Sequence, residues 1–290
     1  MLPPLLKTLR PPFLLLAVVT VLLAAALAAR LPQPFPAGAA LLVLAGALAA
    51  HGAVNALNEY ADFRSGLDMQ TEPTPFSGGS GYLPAHPDMA AATLLLGVSL
   101  LGACLAIGIV LVWQTGPALL WVGAPGVLLI AAYTPWITRN RWLSLLAPGL
   151  GFGLMLLGAE LVLTGSFSGG GISAALVLGC LTNNLLLLNQ LPDRAADALV
   201  GRDNIPLRYG LGVTLRVYAV QWLIALLFLL VALISRWLPL AGALALPAFA
   251  LGAHALVQAQ KPGQLAIALR SNVLQTLMVP VLLALALVVG

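Results

Sequence analysis

Charged residues are scarce in this sequence, and their scarcity excludes a soluble protein. Only 8% of the 290 residues are Asp, Glu, Lys or Arg, whereas 61% are hydrophobic. A soluble globular domain carries about 25% charged residues. The long apolar runs also lack the strict alternation of polar and apolar residues that a transmembrane β-barrel needs. We therefore expect an all-α integral membrane protein that lies in a lipid bilayer and has no nucleic-acid partner.

Cysteine is also rare, and this argues against two kinds of site. The two cysteines, Cys104 and Cys180, both lie inside apolar runs. So few residues in such surroundings indicate neither a disulfide framework nor a metal site built on cysteine. We interpret both as small buried hydrophobic side chains.

The first apolar run admits two interpretations. Lys7 and Arg10 precede the stretch FLLLAVVTVLLAAALAA, a pattern that fits a secretory signal peptide as well as a membrane span. The run is long for a signal peptide and sufficient for a short transmembrane helix. We interpret it as the first span of the mature protein.

Apolar runs of roughly 20 residues predict nine transmembrane helices around a central cavity. Breaks rich in Pro and Gly, such as RLPQPFP and TGSFSGGG, separate them. The whole chain, residues 1–290, is taken as a single transmembrane domain. The spans are expected near 12–29, 37–59, 89–112, 117–137, 143–163, 172–191, 213–235, 238–258 and 268–289.

The distribution of cations predicts the orientation of these spans. If the N-terminus is cytoplasmic, Arg30 and Arg236 are the only two of the thirteen Lys and Arg residues that lie outside. We therefore expect a protein of the inner (cytoplasmic) membrane. Two long segments, 60–88 and 192–212, then lie on the cytoplasmic side, and we expect them to cap the cavity as loops that bear motifs.

Acidic residues concentrate in or beside these two segments. Seven of the nine acids in the chain do so: Glu59, Asp62, Asp68, Glu72, Asp193, Asp197 and Asp203. Any single one of them could be a solvated loop charge, but their spacing argues against this for the group. One helical stripe contains His51, Asn55, Asn58 and Asp62, and a second contains Asn189, Asp193 and Asp197. Lipid cannot satisfy such stripes, so we expect them to face one cavity.

Facing carboxylates in a pocket of low dielectric constant repel one another, and cations offset that repulsion. Carboxylate and amide oxygens suit Mg²⁺, which commonly shares its coordination sphere with substrate phosphates. A diphosphate bridged to the two stripes by Mg²⁺ is therefore the expected ligand. Arg64, Arg139 and Arg141 are the expected cations on the remaining phosphate oxygens, with Arg202 and Arg208 as weaker candidates.

Three stretches resemble the UbiA superfamily of intramembrane prenyltransferases. NALNEYADFRSGLD is similar to its first Asp-rich motif, in the spacing of the 1,4-dihydroxy-2-naphthoate polyprenyltransferase branch. NQLPDRAADALVGRDNIPLRYG resembles the second Asp-rich motif, and YTPWITRNRWLSLLAPGLGFG resembles the loop after the fourth span. The resemblance covers most of the chain and includes the nine helices.

The resemblance implies a role for each motif residue. Asn58, Asp62, Asp68, Asp193 and Asp197 would hold Mg²⁺, with two ions expected, and the four aspartates would be catalytic. Arg139, Arg141 and Tyr133 would bind the diphosphate, and Asn55 and Asn189 would line the pocket. Its position on the same membrane face adds Arg64 to the expected diphosphate ligands, and the helical stripe adds His51 to the expected pocket lining. The isoprenyl tail would lie in an apolar tunnel that opens toward lipid. Ionisation of the prenyl diphosphate would give an allylic cation, which a small aromatic acceptor attacks.

Several features depart from that family and leave alternatives open. Glu59 stands where the family more often has Asp, and Asp203 stands where a cation is more usual. The stretch TPFSGGSGYLP lacks the Arg-rich start expected for naphthoate enzymes, and its FSGGSG part is a cover of the cavity, a phosphate-contacting loop or a flexible turn. The acceptor therefore stays open. A UbiA-type terpene cyclase or a prenyltransferase with a non-quinone acceptor is the first alternative, and a secondary transporter is the second.

Overall fold

A computed structural model describes residues 4–71 and 78–290 of the chain, which are helices joined by turns. The α-helices are α1 Pro11–Ala29, α2 Ala37–Ser65, α3 Tyr82–Ala85, α4 Ala90–Thr115, α5 Leu120–Ala132, α6 Arg141–Thr164, α7 Gly169–Leu199, α8 Ile205–Ile234, α9 Leu246–Gln258 and α10 Leu265–Val289. Short 3₁₀ helices lie at Pro4–Leu9, Leu67–Met69, Pro87–Met89, Pro117–Leu119, Ile137–Arg139 and Leu240–Ala245. The predicted all-α class is confirmed.

Within these residues, eight helices are long and apolar enough to cross a membrane. The remaining predicted span, 117–137, corresponds to a shorter apolar helix over Pro117–Ala132. The predicted polytopic architecture is therefore confirmed, with one span shorter than expected.

Local capping explains where several helices begin and end. At the start of α7, the Ser168 side chain accepts a hydrogen bond from the N–H of Gly171 at 2.9 Å. At the start of α8, the Asn204 side chain accepts one from the N–H of Leu207 at 2.8 Å. Gly66, with φ of 79°, ends α2 in the left-handed conformation that glycine adopts most readily.

Two predicted span ends, at 59 and 191, are too early. α2 continues to Ser65, and α7 continues to Leu199 with Pro192 inside it. The carboxylates that follow the apolar runs form hydrogen bonds within the protein, so they do not need contact with water. The helices can therefore continue past the apolar runs. The segments 60–88 and 192–212, which we expected as loops, therefore begin as helix.

Helices α6 and α7 cross at unusually small residues. A methyl group at Gly149 would overlap the carbonyl oxygen of Gly179, so the two backbones touch directly. The side chain of Asn183 accepts the N–H of Gly149 at 2.7 Å at the same crossing. One turn further along, Gly153 lies beside Ala175. Small residues of this kind allow the close approach that stabilises helix pairs in membranes.

A second contact between α6 and α7 lies where one helix leads into the other. Glu160 of α6 is buried, and its Oε1 accepts from both the N–H and the hydroxyl of Ser168, at 3.2 and 2.5 Å. This buried glutamate therefore fixes the turn that starts α7.

Four buried polar side chains join α7, α8 and α10, and we call them the amide cluster: Asn184, Tyr218, Gln221 and Asn272. Asn184 donates to the Tyr218 carbonyl and Asn272 donates to the Asn184 carbonyl, each at 3.0 Å. The Tyr218 hydroxyl donates to Asn272 Oδ1 at 3.0 Å, and Gln221 donates to Asn184 Oδ1 at 3.1 Å. Hydrogen bonds of this kind hold neighbouring transmembrane helices together.

Candidate active site

A cavity of about 850 Å³ runs into the helix bundle, and its two ends differ in chemistry. One end is lined by the polar residues Arg10, His51, Asn55, Asn58, Asp62, Asp68, Tyr133, Asn189, Asp193, Asp197, Arg202 and Asn204. The other end lies among α4, α5 and α6, where apolar residues such as Leu105, Leu128 and Met155 form the wall. Such a cavity suits a ligand with a charged head and a hydrocarbon tail.

The two carboxylate stripes meet at the polar end through Arg202. This arginine follows Gly201, whose φ of 72° turns the chain after α7 back toward the cavity. Its guanidinium forms a salt bridge with Asp62 of α2 and a second one with Asp197 of α7, where Nη1 lies 3.3 Å from Oδ1. Asn204 also donates to Asp197 Oδ2 at 2.7 Å. The stripes therefore share one compartment and one cation.

Asp62 is further held by its own helix. Asn58, one turn earlier on α2, donates from Nδ2 to Asp62 Oδ2 at 2.7 Å. Thr134, in the turn after α5, donates to Asn58 Oδ1 at 3.1 Å. This chain of hydrogen bonds sets the position of the Asp62 carboxylate from two sides.

Asp68 lies just beyond α2 and is buried, and its Oδ2 has no hydrogen-bond partner among the residues that the structure describes. Burial, together with the neighbouring charges of Glu59 and Asp62, raises the pKa of Asp68 to about 7. Gly79 lies against this carboxylate, and a Cβ at that position would be 2.5 Å from Asp68 Oδ1. An additional side chain would therefore not fit between the two.

Asp193 and Asn189 supply the α7 side of the polar end. The N–H of Gly78 donates to Asp193 Oδ2 at 3.3 Å, so the segment before α3 touches the second stripe. Asn189 Oδ1 is buried and without a hydrogen-bond partner. On the α2 side, the ring of His51 packs edge-on against the ring of Phe152, with 5.1 Å between the ring centroids. The Nδ1 atom of His51 is also buried and has no hydrogen-bond partner among the described residues.

The donor set at this end fits Mg²⁺ by its chemistry. It consists of carboxylate and amide oxygens, and the unpaired Oδ2 of Asp68 is a ligand atom without a protein partner. In the part of the chain that the structure describes, no three acidic, His or Cys side chains converge as a ready metal cluster. The reason is visible in the bonds of Asp62 and Asp197, whose oxygens are engaged by Arg202, Asn58 and Asn204.

Arg10 is a second cation on the cavity wall, and sequence reasoning missed it. It precedes α1 with a φ of 49°, an uncommon conformation for a residue with a side chain. Its Nη2 donates to Glu59 Oε2 at 3.2 Å, and its Nε is buried without a partner. In the sequence this arginine was only one of the cations that precede the first span, and its one further signal is its position directly before Pro11.

Three predicted diphosphate ligands do not reach the cavity wall. Arg64 and Arg139 are exposed, and neither lines the cavity. Arg141 donates from Nε to Asp203 at 2.8 Å and from Nη1 to the Tyr209 hydroxyl at 3.1 Å, so a local acid holds it outside. Among the arginines of the described residues, Arg10 and Arg202 line the cavity, and these three do not.

The other predicted residues do lie at the polar end. Tyr133 lines it, and burial raises the pKa of its phenol to about 12, so the hydroxyl keeps its proton and can donate. Asn55 also lines it, but its Nδ2 is engaged by the carbonyl of Leu9 at 2.8 Å. Asn55 thus anchors the segment that carries Arg10.

The described residues define a class: a helical integral membrane protein with an anionic pocket that continues into an apolar cavity. The chain belongs to the UbiA prenyltransferase family, because residues 17–274 match the sequence model of that family. The predicted family and the predicted enzyme class, a prenyltransferase, are thereby confirmed. No curated protein matches the sequence.

Solved structures share the fold at low sequence identity. A UbiA homologue from Archaeoglobus fulgidus bound to DMAPP and Mg²⁺ superposes with a TM-score of 0.70 at 13% identity, covering 99% of each chain. A digeranylgeranylglyceryl phosphate synthase gives 0.69 at 14% identity, covering 99% of this chain and 97% of the other. A UbiA homologue from Aeropyrum pernix K1 gives 0.68 at 17% identity, covering 96% and 98%.

Proposed function

We propose that this enzyme transfers an isoprenyl chain from a prenyl diphosphate to a small aromatic acceptor, in a reaction that depends on Mg²⁺. One observation carries the proposal: both Asp-rich stripes line the same end of a cavity whose remainder is apolar. A structural neighbour that is bound to DMAPP and Mg²⁺ supports the same ligand class.

Five residues are the proposed metal ligands: Asn58, Asp62, Asp68, Asp193 and Asp197. We propose two ions, which the four carboxylates would balance in charge. When bound, Mg²⁺ supplies neutralisation of the charge that develops on the departing diphosphate. The four aspartates are the proposed catalytic residues, since they are the acidic side chains that line this end of the cavity among the residues that the structure describes.

Arg10, Arg202 and Tyr133 are the proposed diphosphate ligands. Arg10 has an unpaired buried Nε at the wall, and guanidinium groups bind phosphate through several N–H donors. Arg202 pairs with Asp62 and Asp197 and lines the same wall, and it would donate to the diphosphate if those carboxylates held Mg²⁺. The phenol of Tyr133 adds a neutral donor on the same wall.

The apolar end of the cavity is the proposed site of the isoprenyl tail. Helix α4 packs chiefly on α2, and α5 packs chiefly on α6. Cavity-lining residues on the outer faces of α4 and α5 are exposed, among them Ile109 and Leu128. A long tail could therefore extend from the cavity into lipid.

The proposed acceptor is a hydroxylated aromatic compound, for which 1,4-dihydroxy-2-naphthoate of quinone biosynthesis is our first candidate. Two unpaired buried atoms on the cavity wall, His51 Nδ1 and Asn189 Oδ1, could bond to its hydroxyl groups. His51 lies about three helical turns deeper in the membrane than Asp62, and Asn189 lies about one turn deeper than Asp193. An acceptor held there would face the C1 end of the prenyl chain.

The proposed location is the inner membrane, with the N-terminus and both Asp-rich stripes on the cytoplasmic side. The cation distribution along the sequence supports this orientation. The segments 60–88 and 192–212 would then cap the cavity from the cytoplasm, and Arg202 of the second segment already lies across its polar end.

Incubation with labelled geranylgeranyl diphosphate tests the proposal. We expect diphosphate release and a prenylated product with Mg²⁺ and 1,4-dihydroxy-2-naphthoate, and neither with EDTA. A hydrocarbon product formed without acceptor would instead indicate a terpene cyclase. Absence of diphosphate release in every condition, together with substrate flux into vesicles, would indicate a transporter.

A further inference from the structure

We propose that Glu59 is a positioning residue that holds both Arg10 and the segment Gly78–Gly81 at the carboxylate end of the cavity. This inference rests on the proposed function, because it concerns the placement of a diphosphate ligand. Glu59 itself does not line the cavity, so it acts through the groups that it binds.

Glu59 is fully buried, with 0% of its surface exposed, and its partners among the described residues come from outside its own helix. Its Oε2 accepts from Arg10 Nη2 at 3.2 Å. Both carboxylate oxygens accept from the N–H of Ser80 at 3.0 Å, and Oε1 also accepts from the Ser80 hydroxyl. A buried carboxylate is tolerated only when it is paired and hydrogen-bonded, so these partners are fixed together.

The segment Gly78–Gly81, which we call the glycine strap, touches the second Asp-rich stripe and Asp68. Gly78 donates its N–H to Asp193 of α7, while Gly79 lies against Asp68 beyond α2. The bond from Glu59 to Ser80 is therefore the anchor that holds the strap over the two carboxylates. Gly78 and Gly81 both have φ of 70°, which lets the strap turn sharply on either side of Ser80.

The same carboxylate also aims Arg10. The backbone before Arg10 is tied to α2 by the bond from Asn55 to the Leu9 carbonyl, but that bond leaves the guanidinium free to turn. Glu59 binds Nη2 of Arg10, a residue that lines the cavity, while the buried Nε has no hydrogen-bond partner among the described residues. The Glu59 carboxylate thus fixes the position of two elements: the Arg10 side chain of the N-terminal segment and the glycine strap before α3.

Two variants separate the two contacts. In Glu59→Gln the amide oxygen can still accept from Ser80, but the charge that pairs with Arg10 is lost. In Ser80→Ala the hydroxyl contact is lost, while the Arg10 pair is kept. Glu160→Gln is the matched control, because Glu160 binds the N–H and hydroxyl of Ser168 in the same way, away from the cavity.

The first readout is the kinetics with geranylgeranyl diphosphate and Mg²⁺. We expect Glu59→Gln to raise KM for the diphosphate by about tenfold, the typical effect of losing one charge-assisted hydrogen bond, with a smaller change in kcat. Ser80→Ala should raise KM by less, and Glu160→Gln should leave KM within about twofold. An equal rise in KM for Glu160→Gln would mean that Glu59 acts only through stability, and would overturn the proposal.

The second readout does not depend on turnover. Amide hydrogen exchange of the intact protein should become faster at residues 4–10 in Glu59→Gln and at residues 78–81 in Ser80→Ala, while α7 keeps its protection. Unchanged exchange at both segments would overturn the proposal even if activity fell. If the wild-type protein releases no diphosphate, the proposed function fails, and the exchange pattern still decides whether Glu59 holds these two segments.

Discussion

Helix α7 contributes to two groups of buried polar residues, which differ in their hydrogen bonding and in their position relative to the cavity. At the amide cluster, Asn184 bonds to Tyr218, Gln221 and Asn272, and no member of the cluster lines the cavity. At the other group, less than two turns along, Asn189 leaves a buried oxygen unpaired beside the cavity. Both groups are buried and polar, but only the second has atoms that need a ligand. Unpaired atoms beside a void therefore distinguish the site from the scaffold.

The two groups also differ in charge. The amide cluster contains neutral side chains, whose hydrogen bonds join helices at a modest energy each. The cavity end brings four aspartates and two arginines together, where each charge is costly unless paired. We therefore expect substitutions at the cavity end to impair chemistry and substitutions in the amide cluster to impair stability.

The largest effect is expected for Asp62→Asn or Asp193→Asn. Either change removes a carboxylate charge from the proposed metal site, and we expect diphosphate release to fall by about 10³-fold. The measurement is release from labelled geranylgeranyl diphosphate at saturating Mg²⁺. Asp203→Asn is the matched control, because Asp203 pairs with Arg141 outside the cavity and should lose little. A comparable loss in the control would remove the distinction between acids inside and outside the cavity.

The next largest effect distinguishes Arg202 from Arg141 as the diphosphate ligand. The family resemblance assigns the diphosphate to Arg141, whereas the geometry assigns it to Arg202, which bridges Asp62 and Asp197. We expect Arg202→Gln to lower kcat/KM for geranylgeranyl diphosphate by about 10²-fold, and Arg141→Gln to lower it by less than about threefold. The reverse order, measured under identical conditions, would restore the assignment based on resemblance.

A smaller effect is expected for Gly79→Ala. The added methyl group would overlap the carboxylate of Asp68, so the strap or the carboxylate must move. We expect about a tenfold weaker apparent affinity for Mg²⁺, read as the metal concentration that gives half of the maximal thermal stabilisation. Gly102→Ala on α4 is the control, since nothing lies within 4 Å of a Cβ there. Equal metal affinity in both variants would contradict the close packing at Asp68.

The smallest effect on chemistry is expected from the amide cluster. Tyr218→Phe removes the hydroxyl that donates to Asn272, and leaves that buried oxygen without its donor. We expect a loss of about 1–3 kcal/mol in the free energy of unfolding, with KM for the diphosphate unchanged. Thermal unfolding of the protein in detergent, beside its kinetics, gives both numbers. A large change in KM without loss of stability would place Tyr218 with the site.

The sequence predicted much of this site through helical periodicity. The steps of three and four residues correctly indicated that Asn58 and Asp62 share a face, and that Asn189 and Asp193 share another. Both faces line the cavity. Periodicity was sufficient here because these side chains project from regular helices that continue past the apolar runs.

Helical periodicity did not indicate which cations line the cavity: Arg202 was only a weaker candidate, and Arg10 was missed. Arg10 and Arg202 reach the cavity from turns, one at a φ of 49° and the other after Gly201 at a φ of 72°. Arg141 begins a helix, but Asp203, distant in sequence, pairs with it outside the cavity. Side chains on turns point where tertiary packing sends them, and spacing along the chain does not encode that direction.

The short helix in the cavity wall has a consequence for the surrounding membrane. Pro117–Ala132 is roughly 24 Å long at 1.5 Å per residue, less than the thickness of about 30 Å of the hydrocarbon core. The exposed Trp113 and Trp121 lie close to its first residues and suit an interfacial position. Thinning of the lipid beside α5 would relieve this hydrophobic mismatch, at the same wall where the tail would leave. We therefore expect the acyl-chain length of the host membrane to affect the rate of the enzyme. Vesicles of thin and thick bilayers should give different rates with long prenyl substrates.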